Sequence, residues 1–285
     1  MKMSNRILEN VLKEGKRLLR EAGIISWALD ADIIMAYVLK ISREQLITKN
    51  KYTLSIDEFE LFHKIIEKRR NFMPIAYIIN HVEFMGLDFY IDENVLIPRP
   101  DTETLVEAAI KSIMENNVET VLDICTGSGA IGISIAHHCP QIKVTLADIS
   151  RKALDIARIN SEKNSICIDC IESDMFENIE KKFDLIVSNP PYISKNEMAE
   201  LPENVANYEP HMALYGGEDG LLFYRVLAKS AKNYLTPAGK IFVEIGSTQK
   251  NDVIGIFGKE NFIPYSSLKD LAGLDRTLIF GKNIK

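Results

Sequence analysis

Cysteine is scarce in this chain. Four in 285 residues (Cys125, Cys139, Cys167, Cys170), unevenly spread, cannot build a disulfide scaffold. Cys167-x-x-Cys170 has the spacing of half a zinc site, but no second pair and no nearby His completes a tetrahedron, so the thiols read as reduced and inert. The five histidines show no H-E-x-x-H or other ligand spacing, and no metal is expected. Tryptophan occurs once, at Trp27, where it reads as a packing anchor. No uninterrupted apolar run approaches the ~18 residues that span a bilayer. The opening Met1-Lys2-Met3-Ser4-Asn5-Arg6 leads into charged helical sequence, not an apolar signal core. These absences predict a soluble, cytoplasmic chain with no membrane contact. Gly (15) and Pro (10) are too few for collagen-like repeats or Pro/Gly-rich disorder.

What is present is ordinary globular material, 46% hydrophobic and 26% charged, and long enough for about two domains of ~150 residues. Charge divides unevenly. Residues 1–80 hold 14 Lys and Arg against 10 Asp and Glu, a net +4, and the remainder holds 20 against 30, a net −10. An acidic main body argues against a groove that wraps nucleic acid by neutralising phosphates. The basic first part is either a solvated helix surface or a face for an anionic partner.

The first 80 residues read as a helical bundle. Ile7, Leu8, Val11, Leu12, Leu18 and Leu19 recur at helical spacing, and Gly23 is placed to end that helix. Ile33, Ile34, Tyr37 and Val38 carry a second stripe. Ser42-x-x-Gln45 and Ser55-x-x-Glu58 look like capping boxes of two further helices. From 77 to 96 the pattern turns to strands, with Val82, Phe84, Leu87, Phe89 and Ile91 around Met85-Gly86, and predicts a β-hairpin linker. Ile97-Pro98-Arg99-Pro100-Asp101 forces extended backbone, and Asp101 is placed to cap a helix through Val106 and Ile110. Strands at 120–124, 143–147, 183–188 and 240–245 then alternate with helices at 130–138 and 153–160, followed by a last strand pair near 262–264 and 277–280. This α/β order predicts a Rossmann-like, doubly wound, mostly parallel sheet, whose ligands sit at the carboxyl ends of the strands. The expected division is 1–80 helical, 81–98 hairpin, 99–285 sheet domain.

Two motifs fall at those strand ends. In Asp123-Ile124-Cys125-Thr126-Gly127-Ser128-Gly129-Ala130 a strand ends, glycines let backbone approach a ligand, and a helix begins. Gly127, Gly129 and Gly132 match G-x-G-x-x-G. The next strand ends in Asp148, 21 positions after Gly127, where a carboxylate can grip ribose hydroxyls. A diphosphate sits awkwardly beside Asp123. A cationic group suits it better, such as the ammonium of S-adenosylmethionine, whose sulfonium also gains from an acidic pocket.

The second motif is Asn189-Pro190-Pro191-Tyr192, fed by the buried strand 183–188. Pro190 and Pro191 remove two N–H donors and leave carbonyls to accept. The Asn189 side-chain oxygen and the Pro190 carbonyl can each accept one hydrogen of a planar –NH2, while Tyr192 stacks on its face. So held, the nitrogen lone pair is drawn out of conjugation and aimed at a methyl group about 3–3.5 Å away. No strong base is needed, because the nitrogen becomes acidic only as it acquires the methyl.

At this point the chain resembles the release-factor glutamine methyltransferases (HemK/PrmC). The likeness runs through Arg69-Arg70, Pro74-x-x-Tyr77-Ile78, Glu83-Phe84-x-Gly86-Leu87, Leu96-Ile97-Pro98-Arg99-Pro100-Asp101-Thr102-Glu103, Thr126-Gly127-Ser128-Gly129-Ala130 and Asn189-Pro190-Pro191-Tyr192. It continues in Glu209-Pro210, Ala213-Leu214-x-Gly216-Gly217-x-Asp219-Gly220 and Lys269-Asp270-Leu271-Ala272-Gly273-x-Asp275-Arg276. The resemblance implies an S-adenosylmethionine-dependent methyltransferase fold preceded by a five-helix domain that helps hold the protein substrate. It implies methylation of the glutamine side-chain amide in the Gly-Gly-Gln tripeptide of class I peptide chain release factors, by a monomer. It assigns Cys125, Thr126, Gly127, Ser128, Gly129, Ala130, Asp148 and Asn189 to the methyl donor, and Asn189, Pro190, Pro191 and Tyr192 to the glutamine. Relatives often have glycine where this chain has Cys125. Some place an aromatic on the adenine just after Ser173-Asp174, where this chain has Met175, the residue expected to bind the donor there, and then Phe176.

Other stretches keep two readings. Glu244-Ile245-Gly246 is a turn or a site wall, Arg99 a hairpin anchor or a lid over the donor, and 269–276 a turn or the rim of a substrate channel. An adenine-N6 nucleic-acid methyltransferase uses the same Asn-Pro-Pro-Tyr loop on a flipped base, but the acidic body and the lack of a basic recognition domain disfavour it. A NAD-binding oxidoreductase leaves that loop unexplained, and a non-catalytic adaptor leaves the whole constellation unexplained.

Overall fold

The computed structural model describes residues 6–283, so most of the opening segment inspected for a signal core lies outside it. The chain forms two compact units. One comprises residues up to Asn80 together with Pro202–Tyr208, and the other comprises His81–Leu201 and Glu209–Lys285. No helix among the described residues is long and apolar enough to cross a membrane.

The smaller unit is built on α1 (Leu8–Glu21), α2 (Trp27–Leu39), α3 (Arg43–Thr48), α4 (Ile56–Arg70) and α5 (Ile75–Ile79). Its core takes Leu8, Val11, Leu19, Ile34 and Val38 from the helical stripes of the sequence and adds Met35, Phe62 and Ile66, which those stripes did not include. Tyr37 departs from its stripe and is exposed, its place taken by Met35. Both capping boxes form at the starts of α3 and α4. Gly15 lets α1 lie against α4, since a Cβ there would stand 2.6 Å from the Phe62 ring. Arg69 of the family motif clamps α4 to α2: its Nε donates to buried Asp30 at 2.7 Å and its Nη1 to the Met73 carbonyl at 3.1 Å. Tyr77 and Ile78, read as strand, end the bundle in α5 instead.

The larger unit opens with the hairpin β1 (Val82–Phe84) and β2 (Leu87–Phe89), in register Val82 opposite Phe89. Positive φ at both Met85 (52°) and Gly86 (72°) gives the turn the handedness a two-residue hairpin needs. A 3-10 turn, Pro100–Thr102, leads into α6 (Glu103–Glu115). Asp101 does not cap that helix, whose N-cap is Thr102 without a side-chain bond. Its carboxylate lies 3.3 Å from Arg276 instead.

Then follow β3 (Thr120–Ile124), α7 (Ala130–His138), β4 (Lys143–Asp148), α8 (Arg151–Lys163), β5 (Asp169–Glu172) and β6 (Phe183–Ser188). Short α9 (Lys195–Met198), α10 (Glu203–Ala206, grouped with the smaller unit) and α11 (His211–Leu214) precede α12 (Leu222–Tyr234) and β7 (Leu235–Glu244). α13 (Lys250–Lys259), β8 (Phe262–Lys269) and β9 (Asp275–Lys282) finish the chain. The sheet order is β5-β4-β3-β6-β7-β9-β8. It is parallel from β5 to β7, with β9 and β8 antiparallel at one edge. The chain crosses from one side of β3 to the other between β5 and β6, so the switch point, where such sheets bind ligands, lies at the ends of β3 and β6. Leu122, Ile124, Ile186, Ile241, Val243 and Phe280 of the sheet pack with Tyr224 and Leu227 of α12 and Phe257 of α13. Asp184 clamps the far end: its carboxylate accepts from the N–H of Glu119 and Thr120 and from the hydroxyls of Thr120 and Thr236.

Candidate active site

The loop after β3 reverses on left-handed backbone at Cys125 (φ 60°), Gly127 (56°) and Gly129 (82°). Glycine adopts that region freely, whereas Cys125 carries a Cβ penalty of about 1–2 kcal/mol. This is the physical reason relatives place glycine there. The three motif glycines divide by direction. Gly127 faces open space, with nothing within 4 Å of a would-be Cβ. A Cβ on Gly129 would meet Ile133 at 2.7 Å and Ala157 at 3.2 Å, and one on Gly132 would meet Leu146 at 2.2 Å. Gly129 therefore does not line the ligand cavity; with Gly132 it lets α7 close on the sheet.

Asp123 is a second correction. It does not reach out to a cationic ligand but lies fully buried under the loop. Its Oδ2 accepts from the Thr126 hydroxyl at 2.6 Å and from the Gly132 N–H at 3.0 Å. Burial pushes the carboxyl up to about 7, against the pull of those two bonds. Asp148, by contrast, stands at the cavity. Its Oδ2 accepts from Gly127 N–H at 2.9 Å and its Oδ1 from Ser150 N–H at 2.8 Å. Burial raises its pKa, opposed by the backbone donors of Ser150 and Gly127. Buried Asn160 bridges the hairpin to the loop. It exchanges bonds with both backbone groups of Tyr90 (2.6 and 3.0 Å) and donates to the Ser128 carbonyl at 2.9 Å.

A cavity of about 870 Å³ opens above these strand ends. Cys125, Thr126, Gly127, Ser128, Ala130, Asp148, Met175, Asn189 and Pro191 line it; Pro190 and Tyr192 do not. Met175 and Phe176 both form wall. Met175 is held at φ 49° with its carbonyl bonded to the Ser173 hydroxyl (3.0 Å), and Phe176 stacks on Tyr234 with centroids 4.7 Å apart. Sequence reasoning missed several wall residues, among them Thr102, Ile149, Met212 and Leu222. Ile149, Met212 and Leu222 are half-exposed apolar side chains, of which Ile149, directly after Asp148, carried a readable signal. Arg99 is wall as well, and its anchor is not the hairpin but the buried Glu209 carboxylate, 2.5 Å away.

The Asn189-Pro190-Pro191-Tyr192 loop is braced from several sides. Ser188 donates to the Ile124 carbonyl at 2.7 Å, fixing the end of β6 against β3. The Asn189 Nδ2 faces the Thr102 hydroxyl at 3.4 Å. Gln249 donates to the Tyr192 carbonyl at 2.9 Å and to that of Gly220 at 3.2 Å. The glycines of the 216–220 motif are small because the loop passes over them. A Cβ at Gly216 would lie 2.7 Å from the Pro191 carbonyl oxygen, and one at Gly220 2.4 Å from that of Tyr192. Burial, with buried Glu244 nearby, pushes the Tyr192 phenol up to about 12. The 269–276 stretch is a turn whose Asp270 holds Arg276 at 2.9 Å, and Arg276 lies in the field of both Tyr192 and Glu244.

Residues 102–207 match the Methyltransferase small domain family. The fold is also that of a Pyrococcus furiosus methyltransferase (TM-score 0.51, 23% identity, 70% of this chain and 90% of that one). A Thermus thermophilus 16S rRNA methyltransferase solved with AdoMet and guanosine is similar (TM-score 0.50, 18% identity, 71% and 50%). The larger unit is thus a methyltransferase domain. Residues 10–79 match the PrmC N-terminal domain family. The release factor glutamine methyltransferase of Clostridium acetobutylicum is 41% identical over 95% of this chain and 97% of its own length. That of Clostridium botulinum is 40% identical over 95% and 98%. The chain belongs to the release factor glutamine methyltransferase family.

Proposed function

We propose that this enzyme transfers the methyl group of S-adenosylmethionine to the side-chain amide nitrogen of the glutamine in the Gly-Gly-Gln motif of class I release factors. The observation that carries the reading is the meeting of the glycine loop, Asp148 and Asn189 on one cavity, in a chain alike to these enzymes over nearly its whole length. The residues fit the donor. Gly127 leaves its backbone open to the cavity, and the Asp148 carboxylate stands at that cavity with lone-pair capacity beyond its backbone bonds, to accept from ribose hydroxyls. Ile149, Phe176 and Tyr234 supply apolar wall for an adenine ring. When bound, S-adenosylmethionine supplies an electrophilic methyl on a sulfonium.

The chain's own residues orient the nucleophile. Asn189 Oδ1 and the Pro190 carbonyl accept the two amide hydrogens and draw the nitrogen lone pair out of conjugation with its carbonyl. With the donor bound, the nitrogen lone pair would take the methyl as its bond to sulfur breaks, leaving a neutral thioether, and the extra proton of the cationic nitrogen would pass to water. Asn189→Ala removes the oriented acceptor and is expected to lower kcat by roughly 10²–10³ with donor affinity little changed. Asp148→Ala is expected to weaken the donor instead. Labelled S-adenosylmethionine, a purified class I release factor and peptide mass mapping provide the assay. Label on any residue other than that glutamine, or wild-type kcat in Asn189→Ala, contradicts the reading.

A further inference from the structure

The β6–β7 register pairs Ser188 with Val243, so the next residues on these parallel strands, Asn189 and Glu244, emerge side by side at the switch point. Glu244 is buried at 1% exposure, and so is Thr102 at 4%. Asn189 Nδ2 faces the Thr102 hydroxyl at 3.4 Å, and both side chains lie close enough to the Glu244 carboxyl to favour its charged form. Its second oxygen, Oε2, has no hydrogen-bond partner. The strand end is itself fixed, since the Tyr224 hydroxyl donates to the Glu244 carbonyl at 2.9 Å. A side-chain amide has two nearly isosteric orientations, and only one leaves Asn189 Oδ1 toward a substrate –NH2. A group that can only accept, set behind Nδ2, selects that orientation.

We propose that Glu244, with Thr102, is the positioning residue that locks the Asn189 side-chain amide with its oxygen toward the substrate nitrogen. The ionised carboxylate does this because it has no proton to offer Oδ1. A protonated Glu244 can donate to that oxygen and releases the lock. The groups facing it are Arg276 from β9, Asp101 from the turn before α6, Tyr192 from the loop after β6 and Tyr224 from α12. Burial, the largest influence, lifts its pKa to about 7, with Thr102, Arg276 and Asn189 pulling down and Asp101 pushing up. The lock therefore switches within the working range of pH.

This inference rests on the amide-methylation reading, and the test separates the two. The nitrogen-15 and proton resonances of the Asn189 side-chain amide are followed from pH 5.5 to 8.5 in the full chain without substrate. They are expected to move with a midpoint near 7, and to stay flat in Glu244→Gln, which is neutral and carries its own –NH2. In turnover with release factor, the wild-type kcat is expected to fall as pH drops below that midpoint. Glu244→Gln should lose about ten- to a hundredfold in kcat with a flat pH profile. Its donor Kd and release-factor KM should stay within about twofold, and Glu244→Asp should recover part of the loss. Asn189 resonances that ignore pH, or Glu244→Gln with wild-type kcat and pH profile, overturn the proposal. Titrating resonances without methylation of the glutamine would instead leave the lock standing and overturn the substrate reading.

Discussion

Asp123 and Glu244 are held near neutrality by burial, and that has a consequence for stability. Both carboxyls are pushed up to about 7 in the folded chain from ordinary values of 3.8 and 4.5. A raised acid pKa means the folded state binds the proton more tightly than the unfolded one. The contribution is complete below about pH 4 and is lost as pH rises through about 7, on the order of 1 kcal/mol per pH unit per group. Asp184 is held below its usual range because its hydrogen bonds outweigh desolvation, and it acts in the opposite sense only below about pH 4. Asp123→Asn, which cannot ionise, is expected to flatten the decline in unfolding free energy between pH 5 and 7.5. Urea titrations at both pH values measure it, and equal slopes in the two proteins contradict the assignment. At this scale the sequence showed which residues gather but not where they point. The spacing from Gly127 to Asp148 singles out a carboxylate that does stand at the cavity. Nothing in the spacing distinguishes it from Asp123, whose oxygen turns inward because Thr126 and Gly132 offer donors there. The left-handed φ of Cys125 was visible only as a departure from a family glycine.

Elements were legible where composition punctuates them. β3, α7 and β6 are near-continuous apolar runs, with Gly129 directly ahead of α7 and Asn189-Pro190 directly after β6, and their limits agree with the sequence reading to the residue. β5 has a weak signal, since Asp169, Cys170, Ile171 and Glu172 form an edge strand with little apolar alternation. α12 escapes because the glycines ahead of it read as motif, although Tyr224, Leu227, Ala228 and Ala231 fall at helical spacing. The structure explains those glycines as bedding for the Asn189-Pro190-Pro191-Tyr192 loop, and the claim can be tested at Gly216. An added methyl would lie 2.7 Å from both the Pro191 carbonyl oxygen and the Tyr192 Cα, so backbone must move. Overpacking of this kind costs typically about 1–3 kcal/mol. Here the strain falls on the Asn189-Pro190-Pro191-Tyr192 segment, not on the donor loop. Gly216→Ala is expected to lower kcat at least about tenfold while calorimetry shows an almost unchanged donor Kd. An equal loss of donor affinity would point to general unfolding of the site.

Across the whole molecule, the two units have separate buried cores, one on Phe62 and Met35 and the other on Phe183, Tyr224 and Phe280. Periodicity changes from helical to strand near residue 80, and the contact pattern also divides between Asn80 and His81. What the sequence could not show is that Pro202–Tyr208 groups with the smaller unit, because that grouping depends on pairings far apart in the chain. The Tyr208 hydroxyl donates to the Asn71 carbonyl at 2.6 Å, across 137 positions. Residues 1–80 carry the net +4 and, like 202–208, none of the cavity residues, which fits a part that recognises the protein substrate and performs no chemistry. Separate cores predict that a fragment starting at His81 folds alone. Its donor Kd is expected within about threefold of the full chain, since every wall residue is retained. With an intact release factor its kcat/KM is expected to drop at least about tenfold, because binding energy from the remote surface is gone. A short Gly-Gly-Gln peptide lacks that remote surface from the start, so full chain and fragment should methylate it at similar rates. Equal kcat/KM on the whole factor would remove the smaller unit from substrate recognition, and an equal loss on the peptide would show that it supports the catalytic unit itself.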